Sequence, residues 1–351
     1  MNGQAHIRVS YLPRQELLLR PEAWWQGVLA VVPFGQDPHF PAADGIPIAP
    51  VGLPELGNGH STCEVWQASE PLHSGHRGPI HYRAGAQVLF GRLVLAEPDS
   101  ASGGPEGPTA LQQVTAQAYA QVFAALDSLG YPTLLRIWNY FAEINRVTPQ
   151  GERYHEFNTA RRQAFLRARR VIEDQVPAAC ALGSPAGSPL VIYFLASASA
   201  ARSLENPRQL SAFRYPAEYG PDSPTFSRAV LAAATGGQCL LTSGTASILG
   251  HNTVHVGDAA AQTRESISNI VQLVAEANRV SGAPRYCVAG LQFKVYVRRA
   301  TDLDEIRREL AQLLPAACPI TYLQADICRR DLLVEIEAVG SAAPDVGADS
   351  P

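Results

Sequence analysis

One order of elements occurs twice in this chain, and that repetition limits its fold more than any other feature. Residues 86–96 form a nearly unbroken apolar run, the pattern of a buried strand. Val114, Ala118, Val122 and Leu126 then recur at helical spacing between residues 109 and 129, with Tyr119 and Phe123 beside them, and Gly130 supplies the stop. Residues 134–141 read as a second strand. The order returns later, as a strand at 239–244, a helix at 260–280 with Ile267, Ile270, Val271 and Val274 on one face, and a strand at 291–297. As identity the repeat is slight, Thr115-Ala116-Gln117 against Ala261-Gln262-Thr263 at the two helix starts, so the shared order carries it.

A chain of 351 residues exceeds one ordinary core. The repeat divides it into two related α+β domains, each with helices packed on a mixed sheet. The first is expected over residues 1–205, with Pro- and Gly-rich extra strands in 1–85. The second is expected over residues 206–343, followed by a flexible tail at 344–351. Within the first, residues 100–105 read as a turn-rich loop and 153–170 as a second, basic helix, and a further strand at 190–196 follows the Gly/Pro-rich linker at 183–189.

Hydrophobic residues make up 46% of the chain and charged residues 17%, as expected of well-buried interiors. The formal net charge of −4 argues against a nucleic-acid partner, because phosphate binding needs a basic patch. The one local run, Arg161-Arg162 with Arg167, Arg169 and Arg170, reads as a solvated helix face. Six cysteines show no CxxC pair and no His/Cys spacing suited to zinc, so no metal is expected. No basic segment followed by an apolar one opens the chain, and no apolar stretch reaches membrane-spanning length. The expected setting is therefore the cytoplasm, with reduced thiols and no membrane partner.

Chemistry concentrates near the C-terminus. Residues 331–339 read as a strand with Leu332, Val334, Ile336 and Ala338 on one face and Glu335 and Glu337 on the other. Partial burial raises a carboxyl pKa toward neutrality, the condition for a general acid at physiological pH. An edge strand with a solvated outer face would give the same pattern.

Successive landmarks carry a family resemblance. Phe226-Ser227-Arg228-Ala229-Val230, Leu241-Thr242-Ser243-Gly244-Thr245-Ala246, Gly257-Asp258-Ala259-Ala260-Ala261-Gln262-Thr263 and Val334-Glu335-Ile336-Glu337-Ala338 resemble those of the reactive-intermediate deaminase (RidA/YjgF) fold over residues 215–340. That family places an arginine shortly before the final strand, and Ile320 stands there, which weighs against imine or enamine deamination. The whole chain is similar to the chorismatases. Arg136-Ile137-Trp138-Asn139-Tyr140, Tyr154-His155-Glu156-Phe157-Asn158-Thr159-Ala160-Arg161, Glu205-Asn206-Pro207-Arg208-Gln209 and Gly244-Thr245-Ala246-Ser247-Ile248-Leu249-Gly250-His251 precede the Glu335 strand in that family's order. The resemblance implies a RidA/YjgF-like (chorismate-mutase-like) fold in each half, an active site at their junction, chorismate as substrate and no cofactor. It also implies conversion to 3-hydroxybenzoate, alone or with 4-hydroxybenzoate, and release of pyruvate. A hydrolase giving a dihydroxycyclohexadiene carboxylate, a deaminase and a non-catalytic binder that keeps the fold are the other readings. Oligomeric state stays open between monomer and trimer.

Chorismate is a small dianion with an enolpyruvyl ether on a cyclohexadiene ring. A site for it needs cationic donors for two carboxylates and an acid for the enol-ether methylene. Glu335 is the candidate acid. Arg161 and Arg228 are the candidate clamps, with Arg298 as a third, although a surface ion pair would use the same residue type. Tyr215 and Tyr219 flank a Pro/Gly turn from which a hydroxyl can reach a ligand. Thr245 and Ala246 follow Gly244 where small side chains let the backbone come close. His251 and His255 are lesser candidates for contacts. Within the resemblance, cysteine at position 328 goes with 3-hydroxybenzoate formation and a small apolar residue with hydrolysis; a buried structural thiol is the alternative. A tight hairpin at Arg329-Arg330-Asp331 would put Cys328 on the face of Leu332, away from Glu335, so a wider turn or bulge is expected.

Overall fold

The computed structural model describes residues 7–35, 40–41, 45–57, 61–98, 107–234 and 237–342. The expected loop at 100–105 and the tail at 344–351 lie outside the described residues.

Two seven-stranded sheets dominate, and their strand orders correspond. The first runs Asp326–Ile327, Ala178–Ser184, Thr133–Ala142, Leu190–Ser197, Val88–Leu95, Ile80–Ala84, His73–Arg77. The second runs, in the same sense, Ile320–Gln324, Leu291–Val297, Val334–Ser341, Gly237–Thr242, Ala229–Ala234, Arg202–Leu204, with Thr245–Ala246 paired beside the final strand. In each sheet the strand after the long helix pairs in parallel with one neighbour and antiparallel with the other. Parallel pairing needs a crossover, which helices Arg153–Arg167 and Leu303–Leu313 supply. Two related units with helices on mixed sheets are thus the observed architecture.

The long helices begin and end where their caps dictate. Ala110–Leu129 opens on a Thr109/Gln112 capping box and stops at Gly130 in the left-handed region (φ 82°); Ala259–Ser281 opens on Asp258 and stops at Gly282 (φ 70°). Each buries its apolar stripe on the outer face of its sheet. The inner faces meet each other, with Trp138, Tyr140 and Tyr193 from the first sheet against Leu241, Tyr296 and Val339 from the second. A small sheet of Ile7–Pro13, Thr62–Ala68 and Val28–Pro33 adds Ile7, Val9 and Trp66 to that core. Among the described residues the chain passes between the two large sheets three times, the last on entering Val334–Ser341. Arg202–Leu204 already pairs with Ala229–Ala234 ahead of residue 205, and Asp326–Ile327 returns to pair with Ala178–Ser184.

Three local expectations change. The basic helix ends at Arg167, and Arg161 on it is only 2% exposed, so that run is not one solvated face. The strand expected over 331–339 begins at Val334, and Leu332 joins the core between the sheets instead of the face of Val334. That strand is central, not an edge, because Gly237–Thr242 and Leu291–Val297 pair on its two sides, and the first sheet covers its carboxylate face; Glu335 and Glu337 are each 3% exposed. Among the described residues, no helix is long and apolar enough to cross a membrane.

Candidate active site

Val334, Ile336 and Ala338 of the final strand face the helices, while Glu335 and Glu337 face the first sheet. Glu335 lines a cavity of about 330 Å³ at the junction of the two units. Four segments build it: Tyr154 and its neighbours at the start of helix Arg153–Arg167, the connection carrying Tyr215, Tyr219, Phe226 and Arg228, the stretch from Gly244 to Ile248, and the loop from Cys328 to Asp331.

Among the described residues, no group hydrogen-bonds the buried Glu335 Oε1. Burial, aided by the charge of Glu337, pushes the Glu335 pKa from 4.5 to about 8 against the pull of Arg136 and Arg298. It therefore carries its proton at neutral pH. Glu337, two residues on, behaves oppositely. Burial would raise its pKa too, but Lys294 and Arg136 outweigh that, and hydrogen bonds from Trp138 Nε1 and Tyr296 OH, both 2.7 Å, hold it at about 2. Two carboxyl groups on one strand face thus take opposite protonation states, the division of labour acid–base chemistry needs.

Glycine at 244 follows from this packing. A Cβ there would lie 2.6 Å from Glu335 Cδ, closer still to Oε1, and 3.2 Å from the Cys180 Cβ. Gly244→Ala is therefore expected to fold but to displace the acid, slowing turnover by roughly tenfold and altering the product ratio. Steady-state rates with chromatography of the products check this.

The cations divide unequally. Arg228 lines the cavity, with Nη2 donating to Tyr215 OH (2.8 Å) and to the Leu210 carbonyl (2.7 Å), while its Nε is buried without a partner among the described residues. Arg329 also lines it, its guanidinium 4.0 Å from the Tyr219 ring centroid and 5.2 Å from that of Tyr215; Nη1 donates to the His251 carbonyl (2.8 Å), and Nη2 has no partner among the described residues. Tyr215 and Tyr219 therefore serve as the shelf that holds both arginines. Ala246 lines the cavity directly opposite Glu335 in the strand register.

Arg161, Arg298 and Thr245 are not among the residues that line it. Arg161 is buried beside Tyr119 and Phe165 and donates to the Thr225 carbonyl. Arg298 donates to the carbonyls of Ile327, Arg329 and Leu332 and to Asn145 and Asp326, which holds the Cys328 loop and leaves it no donor for a substrate. Thr245 turns its hydroxyl back to the Ser243 carbonyl. His251 is within 3.3 Å of Tyr219 OH outside the cavity lining, and His255 faces Glu265.

Cys328 lines the same cavity as Glu335. The wider turn this needs is a change of sheet: Asp326–Ile327 pairs with the first sheet, not with the final strand, so Cys328 meets Glu335 from across the junction. Burial and Glu335 push the thiol up to about 12, although Arg329 and Arg298 pull it down, so it stays a neutral thiol.

Residues 64–196 match the family described as chorismatase FkbO/Hyg5-like, N-terminal. A 3-hydroxybenzoate synthase of Streptomyces hygroscopicus is 34% identical over 331 residues, 90% of this chain and 92% of that protein. The chain belongs to the chorismatase family. A chorismatase of Streptomyces rapamycinicus is 37% identical over 286 residues, 80% of this chain and 82% of that protein. The crystal structure of a chorismatase matches with a TM-score of 0.84 at 32% identity, over 97% of this chain and 100% of that one.

In this chorismatase, sequence reasoning did not find Arg329 or Tyr154. Arg329 stands next to Cys328 and ahead of the final strand, which marks it in hindsight as a cation brought to the acid. Tyr154 opens the helix motif that ends in Arg161, and its ring, not that arginine, reaches the cavity.

Proposed function

We propose that this chorismatase converts chorismate to 3-hydroxybenzoate and pyruvate, with Glu335 as the acid. The observation that carries this reading is the buried Glu335 carboxyl, its Oε1 without a hydrogen-bond partner among the described residues, on a cavity that Arg228 and Arg329 also line. Those guanidiniums supply charge for the two carboxylates of the substrate. Glu335 gives its proton to the enolpyruvyl methylene, and the positive charge that develops on the ether carbon makes pyruvate a good leaving group. The neighbouring ring hydroxyl displaces it, forming an arene-oxide-like intermediate. Opening of that ring and loss of a ring proton give the phenol, and the Glu335 carboxylate takes the proton back. The two products contain all the atoms of chorismate, so no water or oxidant is consumed. All six cysteines are unpaired, which suits a reducing cytoplasm.

Incubating the purified protein with chorismate should release pyruvate and 3-hydroxybenzoate in equal amounts. Pyruvate with a dihydrodiol would make it a hydrolase, and no pyruvate would make it a binder or a deaminase. Arg228→Ala should raise KM by roughly 10–100-fold with the fold intact, since a charge-assisted hydrogen bond is worth about 1.5–3 kcal/mol. Lys would not restore it, because a point charge replaces a planar fork. Unchanged apparent affinity in Arg228→Ala would remove it from the site.

A further inference from the structure

A buried polar cluster lies next to the acid without lining the cavity. Glu337 stands directly opposite Lys294 in the strand register, as Glu335 stands opposite Tyr296. Its Oε2 is 3.1 Å from Arg136 Nη2 and 3.5 Å from Lys294 Nζ, besides the bond from Trp138. Lys294 Nζ donates in turn to Glu64 Oε2 (2.6 Å) and to Tyr193 OH (3.0 Å), and Trp66 Nε1 donates to Glu64 Oε1 (2.6 Å). Tyr296 OH, which donates to Glu337, also lies 2.8 Å from Tyr140 OH.

Two carboxylates, Glu64 and Glu337, thus face two cations, Arg136 and Lys294, and all four are buried where the sheets meet. Such a cluster is weak evidence for stability, because replacing buried ion pairs by apolar side chains is often neutral or stabilising. Its position tells more. The charges balance without Glu335, so ionising Glu335 would add an uncompensated anion beside Glu337. We propose that Glu337 is a positioning residue for the reaction: fixed between Lys294 and Arg136, its carboxylate keeps the proton on Glu335 at neutral pH.

The groups that face Glu335 bear this out in sign. Glu337 on its own strand opposes its ionisation, while Arg136 from the first sheet and Arg298, just past the end of strand Leu291–Val297, favour it. The Cys180 and Cys328 thiols stay neutral, both raised by burial. Arg228 and Arg329 line the same cavity, together with His155, Asp331 and Arg330.

The inference rests on the reading of Glu335 as the acid, and the test separates the two. The pH dependence of kcat is measured for wild type, Glu337→Gln, Lys294→Met and Arg136→Met, with circular dichroism to confirm folding. Wild type should lose activity as pH rises past about 8. Glu337→Gln should move that limb down by about one unit or more, whereas Arg136→Met, which removes a cation facing Glu335, should move it up; Lys294→Met, which loosens only the Glu337 carboxylate, should move it less than either. A purely structural cluster would lower the rate at every pH with no shift of opposite sign. If Glu335→Gln keeps a near-normal rate, the acid assignment fails whatever the others do. If Glu335→Gln is inactive and the limb stays fixed in every folded variant, only the positioning role falls. Failure of all three to fold would assign the cluster to stability and overturn the proposal.

Discussion

Replacing Glu335 with glutamine is expected to slow pyruvate release by about 10²–10⁴-fold, the usual worth of a general acid, while leaving the fold intact. Gln keeps the shape of the side chain and lacks the transferable proton. The loss should fall on kcat more than on KM, because the carboxyl lends its proton only in the transition state and no substrate charge depends on it in the ground state. A variant that releases pyruvate at a near-normal rate would exclude Glu335 as the acid.

The same carboxyl predicts a stability trend. Its folded pKa, about 8, lies above the ordinary 4.5, so the native state binds this proton more tightly than the unfolded chain does. That contribution is fully present below about 4.5 and is lost as pH rises through about 8. Glu337 has the opposite sign, since its lowered pKa stabilises the fold above about 4.5 and the contribution disappears only as pH falls through about 2. Between pH 6 and 9, thermal melts of wild type should therefore decline more steeply than those of Glu335→Gln. Parallel curves would show that the folded pKa of Glu335 is not raised.

The repeated strand, helix, strand order could be read from the sequence because periods of 2 and 3.6 report directly which face of an element is buried. The acid was legible for the same reason, as a carboxylate on an apolar strand. What the pattern does not carry is the neighbour of the polar face. Glu335 and Glu337 meet a second sheet, not solvent, and nothing within residues 331–339 encodes that. Arginines show the same limit. Arg228 and Arg298 look alike as residues, yet the partners of Arg298 include three backbone carbonyls some thirty residues away, so its role is settled by chain path. Arg329 was hidden because the loop that carries it changes sheets, a step with no local signature.

Cys328→Ala is expected to abolish most 3-hydroxybenzoate formation and divert turnover to the dihydrodiol or to 4-hydroxybenzoate. The thiol shares the cavity with Glu335, and burial keeps it protonated, so it acts as a neutral S–H and not as a thiolate nucleophile. A neutral thiol beside the ring can donate to the oxygen of the arene-oxide-like intermediate as the ring opens. It also occupies space from which water would otherwise attack. Alanine removes both effects at once, admitting water or leaving direct elimination of pyruvate as the faster course. Asn145 donates to the Cys328 carbonyl (3.3 Å) and Arg298 holds the flanking carbonyls, so the loop should keep its place when the side chain is shortened. Because the substitution also leaves a cavity, melting temperature must be followed beside the product ratio. Cys328→Ser, with a donor of similar size, should retain more 3-hydroxybenzoate than Cys328→Ala. A stable Cys328→Ala protein with the wild-type ratio would show that the thiol only fills space, and would move the choice of product to Ala246, which faces Glu335 across the strand pair.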